Sequence, residues 1–164
     1  MGSKPTRITY GLWGVMILAW AALIFYLSTR TFSPSFSRGL LAGILHFLHL
    51  QVSWRTFNLL HALLRKSAHL TEYAIFALML YSFPHEEPRG FWQPRRAAIC
   101  IAIAAAYSLT DEFHQMFVSG RHASLLDCEL DTIGAMLAML VPYARKQISF
   151  LRKTTSSLRI RTRI

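Results

Sequence analysis

The stretch Ile8-Thr-Tyr-Gly-Leu-Trp-Gly-Val-Met-Ile-Leu-Ala-Trp-Ala-Ala-Leu-Ile-Phe-Tyr-Leu27 decides the fold class. Its twenty residues carry no charge. As a helix rising about 1.5 Å per residue it matches the roughly 30 Å of hydrocarbon in a bilayer. Lys4 and Arg7 precede it, as they would in a secretory signal. Its apolar core, however, exceeds the roughly 7–15 residues of such signals, and no clear Ala-x-Ala site follows, so a retained transmembrane helix is expected.

The composition around that helix agrees. Hydrophobic residues make up 53% of the 164 and charged residues only 16%, against about 25% charged in soluble domains. Disorder is excluded by the apolar content, collagen by only eight Gly, and a disulfide scaffold by only two Cys. Three weaker apolar segments follow at 67–83, 97–118 and 125–143, each with ionisable residues at one end and a clean apolar half. The expected architecture is all-α, an integral membrane four-helix bundle occupying residues 1–144, with a basic cytoplasmic tail over 145–164.

The formal charge of +10 raises nucleic acid as a partner, but the positions of the charges argue against it. With four crossings, the side holding both termini and the second connection carries twelve Lys and Arg, and the opposite side six. The positive-inside rule then puts both termini in the cytoplasm. The tail, with no acid after Asp131, is expected on anionic lipid headgroups. Residues 38–64 are apolar but broken by Arg38, His46, His49, Gln51, Arg55, Asn58 and His61, and they read as one or two interfacial helices with Trp54 as an anchor. The same segment could form a lid over a site between the helices. His85 reads as interfacial, His122 as a loop residue, and Cys100 and Cys128 as free buried thiols.

Six of the eight acids lie in or beside the helices: Glu72, Asp111, Glu112, Asp127, Glu129 and Asp131. A charge at the bilayer centre costs on the order of 3 kcal/mol, so such groups persist when paired, hydrated or functional. In the four-span topology Lys66, His69, Glu72 and Tyr73, then Asp111, Glu112 and Gln115, then Asp127 and Asp131 all fall at the extracytoplasmic end. Helical phase lets Lys66, His69, Glu72 and Tyr73 face one interior and pairs Asp111 with Gln115. Asp127, Asp131, Gly134 and Ala138 form one stripe, and Glu129 points away from it. The small residues of that stripe permit close helix approach, within the chain or between chains. Arg121, in the short loop above both acidic groups, is the natural counter-ion.

These residues resemble a known family. Lys66-x-x-His69-x-x-Glu72-Tyr73-x-x-Phe76, Asp111-Glu112-x-x-Gln115 and Arg121-x-x-Ser124-x-x-Asp127-x-x-x-Asp131-x-x-Gly134 are similar in order, spacing and type to the signature of VanZ-like bacterial membrane proteins. The likeness covers roughly residues 66–138, while the first helix and the interfacial segment match in character only. One position departs, since the family usually has Asn where this chain has Asp131. The resemblance implies a cell-envelope role linked to susceptibility to the lipoglycopeptide teicoplanin.

Three readings of the constellation stand side by side. In the first, an enzyme acts on a lipid-linked or amphiphilic envelope molecule; His69, Glu72, Asp111, Glu112 and Asp127 are candidate catalytic groups, and Lys66, Tyr73, Gln115, Arg121 and Asp131 bind substrate. In the second, a protein without catalysis binds or translocates a headgroup or protons. In the third, the groups are an ion-pair network that pins the helices. A divalent metal is compatible with either functional reading, because His69, Glu72, Asp111, Glu112, His114, Asp127 and Asp131 offer oxygen-rich ligands, although no His-Glu-x-x-His or Cys/His zinc spacing is present. Expected partners are membrane lipids and the envelope molecule itself.

Overall fold

The computed structural model of the chain describes residues 6–29, 34–84, 92–118 and 124–161, without the side chains of 34 and 153–161. Arg121 and most of the second and third connections lie outside the described residues. Among those described, the secondary structure is entirely helical: α1 (Arg7–Leu27), α2 (Pro34–Phe47), α3 (Trp54–Ser82), α4 (Pro94–Gln115), α5 (Leu125–Ala138) and α6 (Leu140–Arg161).

Each boundary has a local cause. Thr6 caps α1 by accepting from the Thr9 amide at 3.3 Å, and Ser53 caps α3 by accepting from the Thr56 amide at 3.2 Å. Pro94 takes the first position of α4, where no N–H is needed. Helix α2 ends on a double turn, with the Leu50 amide bonded to the Leu45 carbonyl at 2.9 Å and the His49 amide to that of His46 at 3.0 Å. That turn holds His49 at φ 55°, a left-handed conformation that usually favours Gly or Asn.

Two elements differ from the sequence expectation. The second span was expected from residue 67, after a broken interfacial segment; instead α3 starts at Trp54 and runs unbroken for 29 residues. Polar residues interrupt an apolar pattern but not a helical backbone, and no Gly or Pro occurs from 54 to 83. The fourth span, expected over 125–143, divides at Met139 into α5 and α6. Pro142 has no N–H to give the Ala138 carbonyl, so the hydrogen-bond ladder of α5 cannot continue through it.

Helices α1 and α4 run antiparallel to α3, and the Gln93 amide just before α4 donates to the Tyr81 hydroxyl near the end of α3 at 3.1 Å. Tyr10 at the start of α1 meets Phe83 at the end of α3, ring centroids 5.8 Å apart. The core is built from Tyr73, Phe76 and Ala77 of α3, Ala104 of α4, Ala135 and Ala138 of α5 and Ile24 of α1. The small residues bring backbones close. At Gly134 a Cβ would collide with the Leu70 carbonyl oxygen, so this stripe packs α5 on α3 within the chain.

Among the described residues, α1 alone is long and apolar enough to cross a membrane, and only 6% of its apolar window is buried. Its outer face exposes Leu12, Val15 and Leu18. Two hydrogen bonds to main-chain carbonyls fasten the body of α1 to its neighbours: the Trp20 indole donates to the Glu72 carbonyl at 3.1 Å, and the Tyr107 hydroxyl to the Ala21 carbonyl at 2.7 Å.

Candidate functional site

The buried stripe of α4 changes character along its length. Ala97, Cys100 and Ala104 give way to Ser108, Asp111, Glu112 and Gln115, all buried. The stripes of α3 and α5 change at the same level, to His69 and Tyr73 on α3 and to Cys128 and Asp131 on α5. The helices thereby stack a polar layer on an apolar one.

Within the layer, Ser28 at the end of α1 donates to Asp111 Oδ2 at 2.6 Å. Gln115 Nε2 donates to the same oxygen at 3.0 Å and to the Ser28 hydroxyl at 3.2 Å. Ser108 donates to Asp131 Oδ2 at 2.6 Å, and His69 Nδ1 lies 3.3 Å from Asp131 Oδ1. That last pair is within ion-pair range but is not aligned as a hydrogen bond. Glu112 Oε2 accepts from the backbone amide of Ser124 at 2.7 Å, so a carboxylate from α4 meets the cap residue of α5 at the positive end of that helix. Asp111 Oδ1, Glu112 Oε1 and Gln115 Oε1 are enclosed with no hydrogen-bond partner among the described residues. Closed-off polar atoms of this kind cost free energy, and they mark a layer that apolar packing would serve better if stability were the only demand.

Two cavities open beside the layer. One, of about 260 Å³, lies between α1, α2 and α3 and is walled by Leu27, Phe36, Leu40 and Leu64. The other, of about 400 Å³, is lined by Arg38, Lys66, Trp54 and Asn58 with Asp127 opposite. Arg65 and His69 line both. Nδ1 of His69 is enclosed while 11% of its side chain remains accessible, so the ring shows the cavities an edge other than the one facing Asp131. Helix α2 leans on α3 through Ser37, whose hydroxyl is 2.8 Å from His61 Nε2. Burial, then the nearby Arg38 and Arg65 guanidinium groups, lowers the His61 pKa below its ordinary value.

The residues singled out from sequence fall into distinct groups. His69, Tyr73, Asp111, Glu112, Gln115 and Asp131 are buried in the layer. Glu72 lines the apolar-walled cavity. Asp127 is half-buried, 3.9 Å from Arg65, while Lys66 is exposed on the rim of the cationic cavity. Glu129 is exposed, and His114 packs its ring on Phe25 with centroids 4.4 Å apart. Arg121 lies outside the described residues. Cys100 and Cys128 are free and buried. Among the described residues no three His, Cys, Asp or Glu converge as metal ligands.

Sequence reasoning missed Ser28, Ser108, Arg65 and the Ser37–His61 contact. Signals existed for two of them. Ser108 precedes Asp111 by three residues on one helical face, and His61, Arg65 and His69 recur every four.

Comparison with known proteins adds one finding. No curated protein and no solved structure matches the chain. The VanZ/LLP1 family pattern matches residues 13–146, from the first turns of α1 into the first turns of α6. It includes every residue of the polar layer and both cavities, and VanZ-like membership points to a membrane protein related to glycopeptide resistance. With more than half of its length matched, the chain belongs to the VanZ/LLP1 family.

Proposed function

We propose that this chain is a multi-pass cell-envelope protein whose polar layer and adjoining cavities bind an anionic, amphiphilic, lipid-linked envelope molecule at the extracytoplasmic face, altering susceptibility to teicoplanin-type antibiotics. It crosses the membrane four times with both termini in the cytoplasm. The observation that carries this reading is the cationic cavity, where Arg38, Arg65 and Lys66 face the single carboxylate of Asp127. Three cations around one acid leave positive charge for a ligand to neutralise. Arg is suited to that task because its planar fork binds two oxygens at once.

A second, catalytic reading is favoured by one arrangement. Asp131, held by Ser108, faces Nδ1 of His69, which is how a carboxylate orients an imidazole whose other edge meets a substrate.

The binding reading is tested by measuring thermal stability in detergent and teicoplanin susceptibility in cells for Arg65→Ala and Arg121→Ala. Unchanged melting with altered susceptibility supports a ligand site, whereas a loss of susceptibility phenotype that follows a fall in melting supports a structural network. Sidedness is tested with single cysteines at positions 119 and 157 and an impermeant thiol reagent on intact cells. Labelling at 157 but not 119 would reverse the orientation.

A further inference from the structure

We infer that the two cavities flanking Arg65 and His69 are halves of one site, which takes a lipid bearing a phosphate or diphosphate at the end of a single hydrocarbon chain. This deepens the binding reading above and rests on it. The two spaces differ in chemistry but meet at the same pair of residues. A ligand whose polar end touches Arg65 can therefore extend its other end past His69 without leaving the protein.

The cationic half selects the headgroup. Within this half Arg38, Arg65 and Lys66 exceed Asp127 by two charges, an excess that a phosphate monoester or diphosphate balances and a lone carboxylate does not; Glu72, on the wall of the other half, lowers the excess over the whole site to one. The Arg65 to Asp127 distance of 3.9 Å is at the limit of pairing, so the guanidinium keeps donors for a second acceptor. Asn58 and Trp54 add polar and aromatic edges. The apolar half selects the tail. Leu27, Phe36, Leu40 and Leu64 come from three helices, and the space of about 260 Å³ falls below the roughly 300–1,000 Å³ of pockets for drug-sized ligands. A segment of one chain fits such a volume. Helix α2 serves both halves, turning Phe36 and Leu40 to one and Arg38 to the other, with the Ser37–His61 contact between them.

The test uses the full chain in phosphatidylcholine nanodiscs, titrated with hexadecyl phosphate, hexadecanol and inorganic phosphate. Trp54 emission is the readout, with Trp54→Phe as the background control. Hexadecyl phosphate should saturate at least tenfold tighter than either fragment. Arg65→Ala should weaken it tenfold or more. Leu40→Phe and Leu64→Phe, each narrowing the apolar half without adding a tryptophan, should weaken hexadecyl phosphate while leaving inorganic phosphate unchanged; helicity by circular dichroism confirms that each variant is folded. If inorganic phosphate binds as tightly as hexadecyl phosphate and neither Phe variant has an effect, the two-part site is overturned and the anion-binding pocket stands. If hexadecanol equals hexadecyl phosphate and Arg65→Ala is silent, or if no ligand produces a response, both the inference and the binding reading are overturned.

Discussion

The two ends of the bundle are built from different materials. At one end Ser28, Ser108, Asp111, Gln115 and Asp131 are enclosed in a hydrogen-bonded layer, with His69 in ion-pair range of Asp131. At the other, Tyr81 stacks on Trp92 with centroids 5.9 Å apart, Trp92 meets Tyr143 edge-on at 5.6 Å, and Arg96 reaches over Tyr81 to the Phe83 carbonyl. The aromatic end tolerates partial wetting, because each ring has an apolar body and, in Tyr and Trp, a polar edge, as at membrane interfaces. The polar end has no such tolerance. Its members are joined by a few directed bonds and already enclose oxygens without a partner among the described residues, so the loss of one strands another. The difference teaches where each end is vulnerable: the first to changes of single atoms, the second only to loss of bulk.

Four substitutions or conditions sharpen that contrast. The largest effect is expected for Gly134→Leu. Overpacking a core costs about 1–3 kcal/mol and occasionally more, and here the obstacle is the Leu70 backbone, which cannot swing aside as a side chain does. The variant should lose cooperative unfolding in a detergent melt, with α5 no longer seated on α3.

Next comes Asp131→Leu, which strands Ser108 and His69 and should cost about 3–5 kcal/mol, as breaking a buried pair does. Asp131→Asn keeps an oxygen for the Ser108 hydroxyl and offers an amide N–H toward His69 Nδ1, so its cost should be about 1 kcal/mol. Equal melting losses for the two would show that the layer is not held by directed bonds.

At the aromatic end, Arg96→Ala removes one cation–π contact and one bond to a carbonyl. A loss of about 1 kcal/mol or less is expected in the same melt. A loss as large as that of Asp131→Leu would erase the contrast between the ends.

The smallest effect is a local response to pH. His61 has a pKa below its ordinary value when α2 is docked, so the undocked state binds the proton more readily. Docking is then complete above about pH 6.5 and weakens as the pH falls through the lowered value. Spin labels at positions 41 and 62 should report a wider distance distribution at pH 5.5 than at pH 7.5, and His61→Gln should remove the difference.

How much of this was legible depends on what each feature requires of the sequence. Helix α1 announces itself through twenty uncharged residues. The shared level of His69, Asp111, Gln115 and Asp131 follows from helical phase once the directions of the helices are assigned. The true start of α3 is hidden, because Arg55, Asn58 and His61 disturb the apolar pattern while the Ser53 cap and a Gly- and Pro-free run fix the helix. Ser28 was illegible for another reason: its partner Asp111 is 83 positions away in the chain, and a lone Ser after an apolar run carries no mark of that distance. Choosing Lys66 over Arg65 was a matter of 100° of helix, within the error of reading phase without knowing the axis.

The bonds that fasten α1 bear on how the protein can drift in evolution. Trp20 and Tyr107 both donate to main-chain carbonyls, those of Glu72 and Ala21. Every residue type offers the same carbonyl, so selection acts on the two donors and is blind to the identity of the two acceptors. Most of the α1 surface faces outward and asks only for oiliness. Relatives should therefore preserve the docking of this helix, and Trp20 with it, while its other letters change almost freely.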